Sequence, residues 1–244
     1  MRKVYLIPNF VTTANMFCGF YSAIASIHQD FGAAAWAIVA AGVFDMLDGR
    51  IARLAKATSQ FGVEYDSLSD LISFGLAPSL LLYQWALEPY GRLGWCAAFL
   101  FMACCALRLA RFNVNSNILP KGYFQGLPTP MAAGMIATFI IFNQTIAWPS
   151  FRPTFVLFLT FGLATLMVSN LKFPSFKEFN WRSRESFGFL MVGILTMILV
   201  AIKPEVTLFL TLAGYVSLSV VWNFVTFVGG HAAASKAETK GSLK

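Results

Sequence analysis

Four aspartates stand close together in a chain that otherwise carries few charges. They are Asp45, Asp48, Asp66 and Asp70, within the stretch DMLDGRIARLAKATSQFGVEYDSLSD of residues 45–70. An aspartate at the centre of a bilayer costs about 2.5–3.5 kcal/mol on insertion scales, and charges inside membrane helices usually serve a function. These carboxylates are therefore the first candidates for chemistry in the sequence.

Helical spacing would bring the four carboxylates toward one point. In a helix of about 100° per residue, one narrow stripe holds two acidic and two very small residues: Asp45, Asp48, Gly49 and Ala52. The next helix holds a second stripe of acidic and small residues: Gly62, Asp66, Ser69, Asp70 and Ser73. A helical hairpin that turns within residues 54–61 would make the two stripes face each other.

A cluster of carboxylates suits hard divalent cations. Mg²⁺ and Mn²⁺ take carboxylate and water oxygens as ligands, and two such ions would offset the four negative charges. Gly49, Ala52 and Gly62 would let a ligand approach the backbone. Arg53 would add a cation suited to phosphate. The pattern thus indicates a diphosphate substrate. A purely structural alternative would pair the aspartates with basic residues of the bundle: Arg50, Arg53, Lys56, Arg108 and Arg111.

Composition places these helices in a membrane. The chain has 244 residues, of which 57% are hydrophobic and 12% charged, and its mean hydropathy is +0.66. A membrane span needs about 20 mostly apolar residues. The stretches that lack Asp, Glu, Lys and Arg are 4–29, 31–44, 71–87, 93–107, 122–151, 153–171, 186–202 and 206–235. We expect an all-α, polytopic transmembrane bundle of about eight spans over residues 1–230, followed by a mobile tail over residues 231–244.

The distribution of Lys and Arg predicts the orientation. With eight spans and both termini in the cytoplasm, only Arg92, Arg152 and Lys203 of the 18 basic residues lie outside, in agreement with the positive-inside rule. The aspartates then lie at the cytoplasmic face, and the net charge of +7 faces anionic membrane lipid. Nucleic-acid binding is not expected, because no basic stripe with aromatic stacking partners is present. Small residues such as Gly134 and Gly193 would permit close helix packing or a homodimer.

The acidic stretch also resembles a known signature. The pattern D-x-x-D-G-x-x-A-R-x8-G-x3-D-x3-D is met at every position: Asp45, Asp48, Gly49, Ala52, Arg53, Gly62, Asp66 and Asp70. It resembles the signature of the CDP-alcohol phosphotransferase family, with no departure in spacing. The resemblance implies a membrane helical bundle that transfers a phosphatidyl or similar group from a CDP-linked donor to an alcohol and releases CMP.

The resemblance also implies roles for individual residues. Two divalent ions, Mg²⁺ or Mn²⁺, would be held by four aspartates: Asp45, Asp48, Asp66 and Asp70. Asp70 would in addition be the general base. The CDP pocket would be lined by the remaining signature residues and by two from the first span: Gly49, Ala52, Arg53, Gly62, Thr12 and Asn15.

Three further runs resemble the branch of the family whose donor is CDP-diacylglycerol and whose acceptor is L-serine. They are SLSDLISFGLAP at 67–78, RLARFN at 108–113 and FQGLPTP at 124–130. The carboxylate of serine needs a cation, and the candidates near the inner end of the fourth span are Arg108, Arg111, Asn113 and Lys121. Arg108 and Arg111 could instead be membrane anchors that contact lipid headgroups.

Two alternatives remain open at this point. A sister enzyme of the same family would use glycerol 3-phosphate or inositol phosphate as the acceptor. A cation transporter would also place carboxylates inside a membrane bundle, although it would be expected to show internal repeats and acids at mid-bilayer.

Overall fold

A computed structural model describes residues 6–54, 59–115, 123–146, 153–174 and 186–241. The helices are α1 (Leu6–Ile27), α2 (Phe31–Leu54), α3 (Gln60–Asp70), α4 (Ala77–Leu82), α5 (Arg92–Asn115), α6 (Thr129–Ile146), α7 (Pro153–Val168), α8 (Ser186–Ile202) and α9 (Pro204–Gly241). Two short strands, β1 (Tyr123–Gln125) and β2 (Lys172–Pro174), form an antiparallel ribbon in which Phe124 lies opposite Phe173.

A π-helical turn joins α3 and α4 into one long helical body. The turn spans Leu71–Leu76, and the amide of Ala77 donates to the carbonyl of Ile72, five residues earlier. Pro78 has no N–H, so the ordinary α-helical bond to the carbonyl of Phe74 cannot form here. Turns of this kind are frequent at functional sites, and this one begins directly after Asp70.

Helix α1 lies against α2 on one side and against α3 and the π-helical turn on another. Gly19 makes the second contact possible. A Cβ atom on Gly19 would lie 2.6 Å from the Cα of Ser73 and 2.5 Å from its Oγ. Only a residue without a side chain therefore lets α1 approach the turn that follows the acidic stretch.

The remaining helices build the apolar core beside this unit. Helix α5 packs on α7, while α6 packs on both α2 and α9. The largest fully buried side chains include Phe74 of the π-helical turn, Phe101 of α5, and Ile136 and Ile140 of α6. The core thus packs against the π-helical turn and α4, and it reaches α1 at Ala25.

The ribbon fastens the start of α6 to the end of α7. The N–H of Gly126 donates to the carbonyl of Leu171 at 2.9 Å, and that of Leu127 donates to Leu166 at 3.0 Å. Gly126 has φ +76 and a Cβ there would collide with the carbonyl oxygen of Met167. This glycine is required both by its backbone conformation and by the close approach.

Within the described residues, four helical segments are long and apolar enough to cross a membrane: Pro8–Ile27, Phe31–Ile51, Arg92–Val114 and Pro204–Asn223. Two shorter apolar segments are Pro153–Val168 and Gly193–Ile202. Large apolar side chains on these helices, such as Phe17, Trp95 and Phe158, are exposed, as expected of surfaces that contact lipid. These segments agree with the integral membrane protein that the composition predicts.

The expected all-helical bundle is confirmed, with the small ribbon as an addition that the sequence analysis did not predict. The sequence analysis expects about eight spans, whereas four segments of the described residues have the length and composition of a span. The other expected spans stay a prediction. Helix α9 continues to Gly241, so residues 231–241 carry helical backbone. The division into a domain over 1–230 and a mobile tail over 231–244 stays a prediction.

The contact at Gly19 can be tested by adding one methyl group. We expect Gly19→Ala to destabilise the protein by about 1–3 kcal/mol, the usual cost of overpacking, because the new Cβ meets the backbone of Ser73. Gly42→Ala is the matched control, since a Cβ on Gly42 meets nothing within 4 Å. Thermal unfolding in detergent measures both. An unfolding temperature for Gly19→Ala equal to that of Gly42→Ala would contradict the close contact.

Candidate active site

Three carboxylates meet between α2 and α3. Asp45, Asp48 and Asp66 each place one oxygen so that all three oxygens lie within 4.8 Å of one another. Asp48 is only 4% exposed, and the other two are half-buried. The helical hairpin therefore brings the two acidic stripes together, as their spacing predicts.

Asp70 lies beside this group, one helical turn beyond Asp66. Its side chain is buried and contacts the carboxyl group of Asp45. The Nδ2 of Asn15 donates a hydrogen bond to Oδ1 of Asp70 at 3.3 Å. Asp70 is thus held in place by α1 while it remains next to the three clustered carboxylates.

Helix α1 also orients Asp48. The Oγ1 of Thr12 lies 3.0 Å from Oδ2 of Asp48 and 3.1 Å from the carbonyl oxygen of Pro8. Both Thr12 and Asn15 are buried. The sequence analysis assigned these two residues to the CDP pocket, whereas the structure shows their donor groups on aspartates. Contact with CDP stays a prediction for both.

Two serines on the same helical stripe as Asp66 and Asp70 donate hydrogen bonds to the backbone of α1. Ser69 donates its hydroxyl to the carbonyl of Thr12 at 3.0 Å, and Ser73 donates to the carbonyl of Asn15 at 2.9 Å. The sequence analysis placed both serines on this face without giving them a role. The available signal was the shared spacing: hydroxyls four residues apart, one on α3 and one in the π-helical turn, match polar residues three apart on α1.

The residues present fit a divalent cation. Oδ1 of Asp66 is buried and has no hydrogen-bond partner, which is unfavourable for an acceptor unless a ligand completes it. The clustered ligands are all carboxylate oxygens, the donors that Mg²⁺ and Mn²⁺ prefer. The structure therefore offers an oxygen-lined cation site formed by Asp45, Asp48 and Asp66.

The other predicted CDP-pocket residues border the same hairpin. Gly49 is half-buried on α2. A Cβ on Gly62 would lie 3.2 Å from the Oγ of Ser59 and 3.8 Å from Oδ1 of Asn9, and Ser59 caps α3 by accepting a hydrogen bond from the Gly62 amide at 3.0 Å. The side chains of Ala52 and Arg53 lie outside the described residues.

Three of the four residues predicted to bind the acceptor are described, and the structure gives them different partners. Arg111 donates to the carbonyl of Val168 at 3.1 Å and to Oδ1 of Asn170, so it caps the end of α7. Asn113 is hydrogen-bonded to Ser67. Arg108 is buried and donates to Oγ1 of Thr129 at 3.5 Å. The fourth residue, Lys121, lies outside the described residues.

Comparison with known proteins agrees with the signature. The profile of a family described as CDP-alcohol phosphatidyltransferase matches residues 5–170. A CDP-diacylglycerol–serine O-phosphatidyltransferase of Helicobacter pylori strain 26695 is 36% identical over 228 residues, which cover 92% of this chain and 94% of that protein. Proteins of the same description from Bacillus subtilis and Methanocaldococcus jannaschii are 35% identical over 180 residues and 36% identical over 196 residues. These matches cover 74% and 80% of this chain and 96% and 87% of those proteins, respectively.

The cation site can be tested without any enzymatic assay. We expect Mn²⁺ to raise the thermal unfolding temperature, because a ligand that binds only the folded state stabilises it by about 2.7 kcal/mol at a hundred times its Kd. Asp66→Asn should remove most of this shift. Asp30→Asn is the control, since Asp30 caps the start of α2 through the amide of Ala33 and Asn preserves such a cap. A full Mn²⁺ shift in Asp66→Asn would contradict the site.

Proposed function

Since the chain belongs to the CDP-alcohol phosphatidyltransferase family, we propose that it transfers the phosphatidyl group of CDP-diacylglycerol to the hydroxyl of L-serine. The products are phosphatidylserine and CMP. The observation that supports this most directly is the meeting of Asp45, Asp48 and Asp66 within 4.8 Å beside the buried Asp70. These aspartates occupy the signature positions of a family that handles a diphosphate substrate.

Asp70 acts as the general base in this proposal. Its carboxylate takes the proton of the serine hydroxyl, and the oxygen forms a bond to the lipid-side phosphorus. The bond between that phosphorus and the CMP oxygen breaks in line, and CMP leaves with the electron pair. The hydrogen bond from Asn15 fixes the orientation of Asp70. The attack is direct, so no covalent enzyme intermediate forms.

The neighbouring residues bind and orient the donor. Two divalent ions, Mg²⁺ or Mn²⁺, when held by Asp45, Asp48, Asp66 and Asp70, would offset the charge of the diphosphate. Thr12 keeps Asp48 in position through its hydroxyl. The CDP moiety lies against small residues, one arginine and the polar residues of α1: Gly49, Ala52, Arg53, Gly62, Thr12 and Asn15.

Serine is the favoured acceptor for two reasons. The relatives from three organisms carry serine in their names. In addition, glycerol 3-phosphate and inositol phosphate bring a dianionic phosphate, which calls for several cations close together. Of the two described arginines that were predicted to bind the acceptor, Arg108 lies near Asp70, while Arg111 is bonded to the end of α7. A carboxylate carries one negative charge and a phosphate dianion two, so a single arginine balances the former and not the latter.

The proposal also covers the orientation of the chain in the membrane and its assembly into a homodimer. Eight spans with both termini in the cytoplasm would put the acidic hairpin at the cytoplasmic face, where CDP-linked and water-soluble substrates are available. A homodimer is compatible with the surface of α8, since a Cβ on Gly193 meets nothing within 4 Å. Gly134 packs within the chain instead, because its Cβ would lie 3.3 Å from Leu212.

A cation transporter is less consistent with the site. The described part of the chain holds one group of three closely placed metal-ligating side chains, formed by a single hairpin. Alternating-access transporters of the repeat type instead build their sites between related halves near mid-bilayer. A second, matching acidic group would be needed in the later helices.

The activity can be tested with purified protein in detergent, CDP-diacylglycerol and Mg²⁺ or Mn²⁺. We expect CMP release that depends on L-serine, and a loss of about 10²–10⁴-fold in Asp70→Asn, the range that general-base catalysis contributes. Glu64→Gln is the control, because Glu64 is exposed on the same helix and should leave the rate unchanged.

The acceptor is tested in the same assay. Glycerol 3-phosphate, inositol phosphate and a reaction without acceptor run in parallel with serine. Release with another acceptor would keep the family reaction and change the substrate. No release with any acceptor or metal, from protein that is shown to be folded, would contradict the proposed activity.

A further inference from the structure

A groove lies between the first half of α5 and the middle of α7, and we call it the α5–α7 groove. Its volume is about 550 Å³, and it is lined by Arg92, Leu93, Cys96, Phe99, Leu100 and Phe161. The α5 residues recur at intervals of three and four, so they lie along one face of that helix. This face extends about 12 Å from Arg92 to Leu100. Apart from Arg92 at its end, the groove is apolar.

Arg92 gives the groove a positive charge at one end. It is the first residue of α5, and its side chain is exposed. Among the described residues no carboxylate is paired with it, although Glu88 stands four residues earlier. The guanidinium is therefore available to an anion from outside the chain, and its planar set of donors suits two oxygens of one phosphate group.

Aromatic residues place this end of α5 at the membrane–water interface. Trp95, one helical turn after Arg92, is 54% exposed. Tyr90 and Thr154 share a hydrogen bond of 2.7 Å between their hydroxyl groups, at the starts of α5 and α7. Trp and Tyr are enriched where lipid headgroups meet the hydrocarbon. Arg92 then lies at the depth of the headgroups, and the apolar part of the groove lies within the roughly 15 Å of hydrocarbon that one leaflet supplies.

The groove and the acidic site lie at opposite ends of α5. Arg108, on the last turns of this helix, is close enough to Asp70 to interact with it electrostatically. Arg92 precedes Arg108 by sixteen residues, which corresponds to about 24 Å along the helix axis. The groove therefore opens to the leaflet opposite the acidic site, and a lipid bound there is not one that reacts.

We propose that the α5–α7 groove binds one anionic phospholipid of this opposite leaflet. One acyl chain lies along the apolar face of α5 and against Phe161, and the phosphodiester contacts Arg92. A single guanidinium balances the one negative charge of phosphatidylglycerol. In phosphatidylcholine the ammonium of the headgroup already balances that charge, so this lipid gains less from Arg92. The site takes no part in the proposed reaction and does not depend on which acceptor is used.

Cys96 provides a local probe of the groove. It lines the groove, and it alone of the four cysteines is exposed. The rate at which a maleimide alkylates Cys96 is measured on delipidated full-length protein in detergent, with the labelled peptide identified by mass spectrometry. Phosphatidylglycerol, phosphatidylcholine and glycerol 3-phosphate are titrated separately. An acyl chain in the groove covers the thiol and slows its alkylation.

We expect phosphatidylglycerol to protect Cys96 at a concentration about fivefold lower than phosphatidylcholine, the size of one arginine's attraction for an anionic lipid. Glycerol 3-phosphate should give no protection, because it has no chain to fill the groove. Arg92→Gln should raise the phosphatidylglycerol concentration about fivefold and leave that of phosphatidylcholine unchanged, so that the preference is lost. Arg92→Lys keeps the charge but not the planar donors and should keep part of the preference.

Lys203→Gln is the matched control. It also removes one positive charge, but Lys203 stands between α8 and α9 and does not line the groove, so the preference should be that of the wild type. Salt provides a second measurement on the unaltered protein. At about 1 M salt the Debye length falls to about 3 Å, and the preference for phosphatidylglycerol should shrink.

Three results would overturn the lipid site. The first is equal protection by the two lipids in the wild type. The second is an undiminished preference in folded Arg92→Gln or, if that variant does not fold, an undiminished preference of the wild type at high salt. The third is protection of Cys96 that follows dimer formation and not added lipid, which would assign the groove to a second copy of the chain.

Discussion

The hydrogen bonds between α1 and the acidic hairpin are the interaction on which this structure depends. Buried carboxylates need donors, and α1 supplies them through Thr12 to Asp48 and Asn15 to Asp70. The hairpin returns two hydrogen bonds, from Ser69 and Ser73 to the backbone of the same two α1 residues. The exchange is reciprocal, so the position of α1 and the orientation of the carboxylates determine each other. The hydroxyl of Thr12 and the amide of Asn15 cannot donate to every carboxylate oxygen of the four aspartates. The remaining oxygens are available as ligands for a cation.

The π-helical turn after Asp70 separates a part of the helical body that lines the polar site from a part that packs in the apolar core. Before the turn, α3 presents its polar face to α1 and to the aspartates of α2. Within and after it, Phe74, Leu81 and Leu82 enter the apolar core, and Gly75 admits α5 to close contact. The same local irregularity therefore supports the core and lets α5 approach the helical body directly after the acidic site.

The sequence predicts the acidic site well because that site depends on local spacing. Asp45 and Asp48 lie three residues apart and Asp66 and Asp70 four apart, so helical periodicity places each pair on one face of its helix. The all-helical fold follows from the apolar stretches in the same way. The different environments of Arg108 and Arg111 could not be predicted, because their partners come from segments that are distant in sequence. The ribbon, the π-helical turn and the contact at Gly19 likewise depend on packing between elements, which single-helix periodicity does not contain.

The residues of the acidic site are also synthesised early, because they lie in the first three helices. All four aspartates, and the α1 residues Thr12 and Asn15 that donate to two of them, precede the π-helical turn. Domains generally form from the N-terminus as the chain is made, and local contacts form faster than distant ones. The hydrogen bonds to Asp48 and Asp70 can thus form as soon as the first three helices have been synthesised. The later helices then assemble around a unit in which two of the four aspartates already accept hydrogen bonds, which limits the time that unpaired carboxylates face lipid during biogenesis.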